Sequence, residues 1–103
     1  MNKQEPIFAC NISALNKDER ARYSVLTKQL IADKKEVEEL PDGYLLRFAA
    51  NSRSIKDVAE FITYERACCP FFDFDMSVSG DSVALKLVGP EGVKPFIKDE
   101  FGI

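Results

Sequence analysis

Residues 72–87 read FDFDMSVSGDSVALKL and carry the clearest structural signal in the chain. Apolar residues in the first half alternate with aspartate and serine, and the second half again has an apolar residue at every other position. A period of two is typical of a strand with one buried face. Gly80-Asp81 lies between the halves and favours a tight turn. The stretch therefore predicts a β-hairpin.

A helix is predicted immediately before this hairpin. Ser54-Ile55-Lys56-Asp57 resembles a capped helix start. Apolar residues then follow at helical spacing, namely Ile55, Val58, Ala59 and Ile62. Pro70 ends the helix, because a proline disfavours the helical conformation of the residue before it. We therefore expect Cys68 in the last helical turn and Cys69 just beyond it.

The remaining elements follow from similar patterns. They are a strand at 7–12, a helix from an Asn16 and Glu19 capping box to about Lys35, strands at 36–40 and 44–49, and a short helix after residue 92. Pro41-Asp42-Gly43 predicts the turn between the second and third strands. The predicted order is βαββαββα.

The first six of these elements match the ferredoxin-like βαββαβ order. That order predicts an α+β fold with an antiparallel sheet and helices on one face, here extended by a C-terminal strand and a short helix. The 103 residues have the size of one domain, and no repeat or linker divides them. We expect a single α+β domain over residues 1–103.

Composition excludes several classes of function. The net charge of -3 and the pI near 5.0 disfavour nucleic-acid binding. No stretch resembles a signal peptide or a membrane span, so a cytoplasmic location is expected. The absence of histidine removes Cys-His pairs, Ser-His-Asp triads and imidazole metal ligands. Three cysteines make an odd number, which favours reduced thiols over a disulfide framework.

The adjacent cysteines Cys68 and Cys69 are the main candidates for chemistry. A disulfide between them is disfavoured, because adjacent Cα atoms lie closer than a relaxed disulfide allows. Their sulfurs are soft donors suited to a thiophilic ion such as Cu(I), Hg(II) or Zn(II), and Cys10 is the third candidate ligand. Zn(II) is less favoured, because a closed structural zinc site normally has four ligands.

Glu65 and Arg66 are candidate supporting residues. The C-terminus of a helix raises the pKa of a nearby thiol, and Arg66 would offset that effect. Glu65 would serve as an oxygen ligand or a proton acceptor. The simpler interpretation makes all three cysteines small core residues and Glu65-Arg66 a solvated surface pair.

The segment Glu65-Arg66-Ala67-Cys68-Cys69-Pro70-Phe71 resembles a family of small bacterial proteins of unassigned function with a Glu-Arg-x-Cys-Cys-Pro-Phe motif. The resemblance extends to Pro41-Asp42-Gly43-Tyr44, to Cys10 and to residues 89–94, and so covers nearly the whole chain. Some similar segments accompany mercury-type or other metal-responsive regulators. The resemblance implies that Cys10, Glu65, Arg66, Cys68 and Cys69 belong to the polar pattern of the family, and it implies no reaction.

Three functions compete at this point. The leading hypothesis is a cytosolic protein that binds a soft metal ion through the vicinal cysteines for buffering or resistance. The first alternative is a thiol redox or detoxifying enzyme acting on a small thiol-reactive ligand, for which no catalytic residue is assigned. The second is an interaction module that forms a homodimer and uses its cysteines only as core.

Overall fold

The computed structural model describes residues 11–103. The elements in this range are a 3-10 turn at Ile12–Ala14, α1 at Lys17–Asp33, β1 at Glu36–Leu40, β2 at Gly43–Ala49, α2 at Ser52–Cys68, β3 at Asp73–Ser79, β4 at Ser82–Val88 and α3 at Lys94–Phe101. Within these residues four strands form one antiparallel sheet. The predicted α+β class is therefore confirmed. No helix in this range is long and apolar enough to cross a lipid bilayer.

The sheet consists of two hairpins side by side, with strand order β1-β2-β4-β3. Strand β2 pairs with β4, so β2 and β3 run in the same direction with β4 between them, and α2 connects them. The predicted hairpin of residues 72–87 corresponds to β3 and β4. The order over residues 11–103 is αββαββα, which does not match the predicted ferredoxin-like βαββαβ order.

The mismatch concerns the predicted first strand. Residues 7–10 of that strand lie outside the described residues. Ile12 begins the 3-10 turn, and the Asn11 N–H donates to the Cys68 carbonyl oxygen at 2.7 Å. The backbone of Asn11 thus pairs with the end of α2 and not with a strand of the sheet.

The predicted N-cap of α1 is confirmed, whereas the predicted N-cap of α2 is wrong. Asn16 and Glu19 form the predicted capping box of α1. Helix α2, however, begins at Ser52, because Asn51 is its N-cap and accepts a hydrogen bond from the Ser54 N–H at 2.8 Å. Ser54 therefore lies in the first turn instead of capping it.

One face of the sheet and the three described α-helices share a single core. The strand residues in this core are Tyr44, Leu46 and Phe48 of β2 and Val83, Leu85 and Leu87 of β4. Phe61 of α2 lies at the centre, with its ring centroid 6.0 Å from that of Tyr23 in α1 and 5.7 Å from that of Phe101 in α3. The three helices therefore meet around one aromatic side chain.

The pairing of β2 with β4 depends on the absence of a side chain at Gly43. A Cβ atom at this position would overlap the backbone carbonyl of Leu87 in the neighbouring strand. Gly43→Ala should therefore destabilise the protein by about 1–3 kcal/mol, as overpacking in a closed interior does. Urea unfolding measures this, with Ser79→Ala on the exposed end of β3 as control. Equal stability of the two variants would contradict the close approach.

Candidate functional site

The buried face of α2 agrees with the predicted one in part, because Val58 is buried and Ile55 and Ile62 pack against the core. The spacing of its buried residues is typical of one side of a helix, and they are Ser54, Asp57, Val58, Phe61, Glu65 and Cys68. Ala59, which we predicted on this face, is exposed. At its C-terminal end, the buried side of α2 carries the Glu65 carboxyl and the Cys68 thiol. Glu65 is therefore not the solvated surface residue that its charge suggests.

Glu65, Cys68 and Cys69 lie together at the C-terminal end of α2. All three are 0 % exposed. The two sulfur atoms are 3.9 Å apart. One ligand atom from each residue lies within 4.8 Å of the others, a spacing that a metal ion can bridge. These residues form a candidate metal-binding group, here called the thiol-carboxyl group.

The two cysteines of this group differ in oxidation state. Cys68 is a free thiol, whereas Cys69 is disulfide-bonded. The expectation of reduced thiols is therefore wrong at Cys69. The sulfur of Cys68 is not its partner, in line with the strain predicted for a disulfide between neighbours. Cys10, the predicted third ligand, lies outside the described residues.

The end of α2 is held by backbone hydrogen bonds. The Cys69 N–H donates to the Glu65 carbonyl oxygen at 2.7 Å, and the Asn11 N–H pairs with Cys68 as described above. The Phe72 N–H donates to the Cys69 carbonyl oxygen at 3.2 Å. Buried backbone groups at a helix end need such partners. They hold the two cysteines in one position relative to the sheet.

Tyr23 and Glu100 extend the group towards α1 and α3. The Tyr23 hydroxyl donates to Glu65 Oε1 at 2.5 Å and lies 3.0 Å from Glu100 Oε2. The other two carboxyl oxygens, Glu65 Oε2 and Glu100 Oε1, are buried, and the two side chains form a hydrogen bond when one of them is protonated. One hydroxyl proton is too few for two buried carboxyls, so one carboxyl must carry a proton.

Burial and the proximity of the two carboxyls raise the pKa values of Glu65, Glu100 and Tyr23. Desolvation raises the pKa of Glu65 to about 9, and the charge of Glu100 adds to the rise. Desolvation also raises the pKa of Glu100. The pKa of the Tyr23 hydroxyl is raised by desolvation and by the two carboxylates. The cluster is therefore more protonated than the same groups in water.

Cys68 is a weak acid in this setting. Desolvation raises the pKa of its thiol, and the charge of Glu65 raises it further. A hydrogen bond from Tyr23 acts in the opposite direction. Cys68 is thus unlike a catalytic cysteine, whose thiolate forms near neutral pH.

Arg66 is exposed, whereas the neighbouring Glu65 is buried. The Arg66 side chain borders a surface depression with Pro70 and Phe74, away from the thiol-carboxyl group. Arg66 is the basic residue of the last turn of α2, so the compensation of the helix end stays a prediction. A different cavity of about 430 Å³ does reach Tyr23 and Glu100 from the side of α1. This cavity leads from solvent towards the buried carboxyls.

Tyr23 and Glu100 belong to the site, although no sequence pattern predicted them there. Tyr23 shares a face of α1 with Leu26 and Leu30, and this spacing by itself predicts packing. Ile97 and Phe101 are the buried residues of α3. Glu100 lies between them in the sequence, three positions after Ile97. A glutamate inside an apolar stripe is the signal that could have identified it.

Comparison of the chain with family models, with curated proteins and with solved structures finds no match.

The raised pKa of Glu65 predicts how stability depends on pH. Between the ordinary value of 4.5 and about 9, folded Glu65 keeps a proton that the unfolded chain has lost. Unfolding then releases a proton, so the free energy of unfolding should fall as the pH rises through this window. Tyr23, Glu100 and Cys68 face the Glu65 carboxyl, and their pKa values are also raised. Each of them therefore also lowers the free energy of unfolding as the pH rises through the range in which that group titrates.

Thermal or urea unfolding of Glu65→Gln tests this dependence. The amide has no titrating proton, so the fall in stability from pH 5 to pH 9 should be much shallower than in the unchanged protein. Glu91→Gln, on an exposed turn, should keep the full slope. A slope that is equally steep in Glu65→Gln would show that another group binds the proton.

Proposed function

We propose that this protein binds one thiophilic metal ion through the vicinal cysteines Cys68 and Cys69, with Glu65 as an oxygen ligand, and that it acts in buffering or resistance. The observation that carries the proposal is the spacing of the thiol-carboxyl group, whose three ligand atoms all lie within 4.8 Å of one another. Cysteine sulfur is the ligand that thiophilic ions prefer, and two neighbouring sulfurs can chelate.

Burial supports this proposal over a purely structural role for the group. Two thiols alone would be ordinary core residues. A glutamate with no exposed surface costs free energy, which its hydrogen bonds with Tyr23 and Glu100 offset in part. An ion bonded to the Glu65 carboxylate would compensate its charge. The carboxyl therefore argues for a ligand where the cysteines alone would not.

Cys69 is disulfide-bonded, and this disulfide must be reduced before Cys69 can bind a metal ion. A sulfur in a disulfide has no thiolate to offer a metal ion. The binding form is therefore the reduced protein. Reduction frees the second sulfur beside Cys68, at the end of α2, where backbone hydrogen bonds hold the main chain of both cysteines.

Metal titration of cysteine variants tests the proposal. With reduced protein under anaerobic conditions, we expect one ion per chain in the unchanged protein. Cys68→Ser and Cys69→Ser should each weaken binding by at least about tenfold, since loss of even an outer-shell partner costs about 10–100-fold. Unchanged stoichiometry and affinity in the double variant would eliminate the proposed site.

Cys10→Ser tests the predicted third ligand in the same titration. If Cys10 is the third ligand, this variant should lose affinity as Cys68→Ser does. If the thiol-carboxyl group suffices, Cys10→Ser should bind the ion with the affinity of the reduced unchanged protein. Circular dichroism of each variant checks that the fold is retained.

The dependence on reduction is a separate prediction. Protein treated with a phosphine reductant, which does not itself compete through thiols, should bind the ion, whereas untreated protein with Cys69 oxidised should bind it far more weakly. Native mass spectrometry distinguishes the two forms, because each retained ion and each disulfide changes the mass. Equal metal content in both forms would show that Cys69 is not a ligand.

A thiol redox activity is the second candidate, favoured by one observation. The free thiol of Cys68 lies 3.9 Å from the sulfur of disulfide-bonded Cys69. Thiol–disulfide exchange requires a thiolate next to a disulfide. Two features oppose rapid exchange: the burial of Cys68 and the raised pKa of its thiol.

Alkylation kinetics separate these two functions. For a metal-binding protein with a buried thiol, iodoacetamide should modify Cys68 slowly at pH 7, and the rate should increase as the pH rises past the value of a free thiol, about 8.5. An enzyme with an activated thiolate would react rapidly at pH 7. Mapping the modified peptide by mass spectrometry assigns the rate to Cys68.

A further inference from the structure

We propose that Cys69 forms its disulfide with Cys10, so that oxidation ties the N-terminal segment of the chain to the end of α2 and withdraws sulfur from the proposed metal site. The pairing rests on the arrangement of the cysteines alone, whereas its role as a redox switch rests on the proposed metal-binding function. Three observations carry the pairing, namely the number of cysteines, the position of Asn11 and the burial of Cys69.

The number of cysteines limits the possible partners of Cys69. The chain contains three cysteines, of which Cys68 is a free thiol and Cys69 is disulfide-bonded. Within one chain, Cys10 is therefore the cysteine that remains as a partner for the sulfur of Cys69. The alternative is a cysteine of a second copy of the chain.

The position of Asn11 favours the pairing within one chain. Cys10 lies outside the described residues, but it is covalently bonded to Asn11, whose N–H donates to the Cys68 carbonyl oxygen at 2.7 Å. That carbonyl belongs to the peptide unit that links Cys68 to Cys69. Standard covalent geometry then limits the distance between the Cα atoms of residues 10 and 69 to about 8 Å. This limit includes the range of about 4.4–6.8 Å that disulfides span.

The burial of Cys69 disfavours a bond between two copies of the chain. Cys69 is 0 % exposed, and hydrogen bonds with the main chain of Glu65 and Phe72 hold its backbone. A sulfur from another molecule could reach Cys69 only if the end of α2 opened. A partner that directly precedes Asn11 in the same chain needs no such opening.

Reduction converts this disulfide into ligands for a metal ion. A small dithiol supplies two electrons and two protons: the sulfur–sulfur bond of the protein breaks, Cys10 and Cys69 become thiols, and the dithiol becomes a disulfide. Only deprotonated thiols bind a metal ion, and the bound ion displaces their protons. The oxidised form therefore offers one cysteine as a ligand, and the reduced form offers three.

Peptide mapping of the full chain tests the pairing. Reduced protein, freed of reductant, is oxidised with an equimolar amount of diamide, which takes two hydrogen atoms from a pair of thiols. The remaining thiols are alkylated with iodoacetamide in denaturant before tryptic digestion. We expect residues 4–17 linked to residues 67–86, with Cys68 alkylated. Alkylated Cys10, or two linked copies of residues 67–86, would overturn the pairing.

Two variants separate the pairing from its alternatives. Cys68→Ser should keep the link between residues 4–17 and 67–86, because Cys68 is not part of the disulfide. Cys10→Ser should lose this link. The oxidised unchanged protein should unfold at a higher temperature than its reduced form, because a disulfide across a long loop restricts the unfolded chain, and Cys10→Ser should show no such difference. Loss of the link in Cys68→Ser would overturn the pairing.

Titration with Cd(II) tests the disulfide as a switch. In the unchanged protein, oxidation should weaken Cd(II) binding by at least about tenfold, since loss of even an outer-shell partner costs about 10–100-fold. The same treatment should leave the affinity of Cys10→Ser unchanged, because a disulfide between adjacent cysteines is strained. Equal weakening in both proteins would overturn the switch. Failure of the reduced unchanged protein to bind Cd(II) would overturn the proposed function and leave the pairing, which the peptide map tests by itself.

Discussion

The buried carboxyl of Glu65 is the constraint on which the arrangement of the helices depends. It lies with no exposed surface on α2 and accepts a hydrogen bond from Tyr23 of α1, whose hydroxyl also contacts Glu100 of α3. An unpaired buried carboxylate costs several kcal/mol, on the order of the whole stability of a small domain. The three helices must therefore keep their relative positions, because each contributes one member of this cluster.

The same cluster connects the fold to the chemistry. Pro70 ends α2 just after the cysteines, so the two sulfurs lie within one turn of the Glu65 carboxyl. Sulfur and oxygen donors thus converge without a dedicated loop. The free thiol at Cys68 and the disulfide at Cys69 give the site two chemical states, and only the reduced one offers both sulfurs to an ion. Oxidation of one cysteine would then compete directly with metal binding.

The sequence predicts correctly those features that are determined by residues close together along the chain. The hairpin of residues 72–87, the capping box at Asn16 and the end of α2 before Pro70 all follow from local geometry, and the structure confirms them. The buried face of α2 was predicted only in part: Val58 is buried as expected, but the acidic residues Asp57 and Glu65 are buried as well. Helical spacing allows several faces, and the choice among them depends on what packs against the helix.

The sequence by itself determined the secondary structure between Asn16 and Phe101 and the closeness of Glu65, Cys68 and Cys69, since a single helical turn places such residues together. Only the tertiary structure decided that Glu65 is buried, that Tyr23 and Glu100 surround it, and that Asn11 pairs with the end of α2. These contacts join residues 42 to 77 positions apart. No local pattern encodes such contacts, because they form only when the helices pack on the sheet.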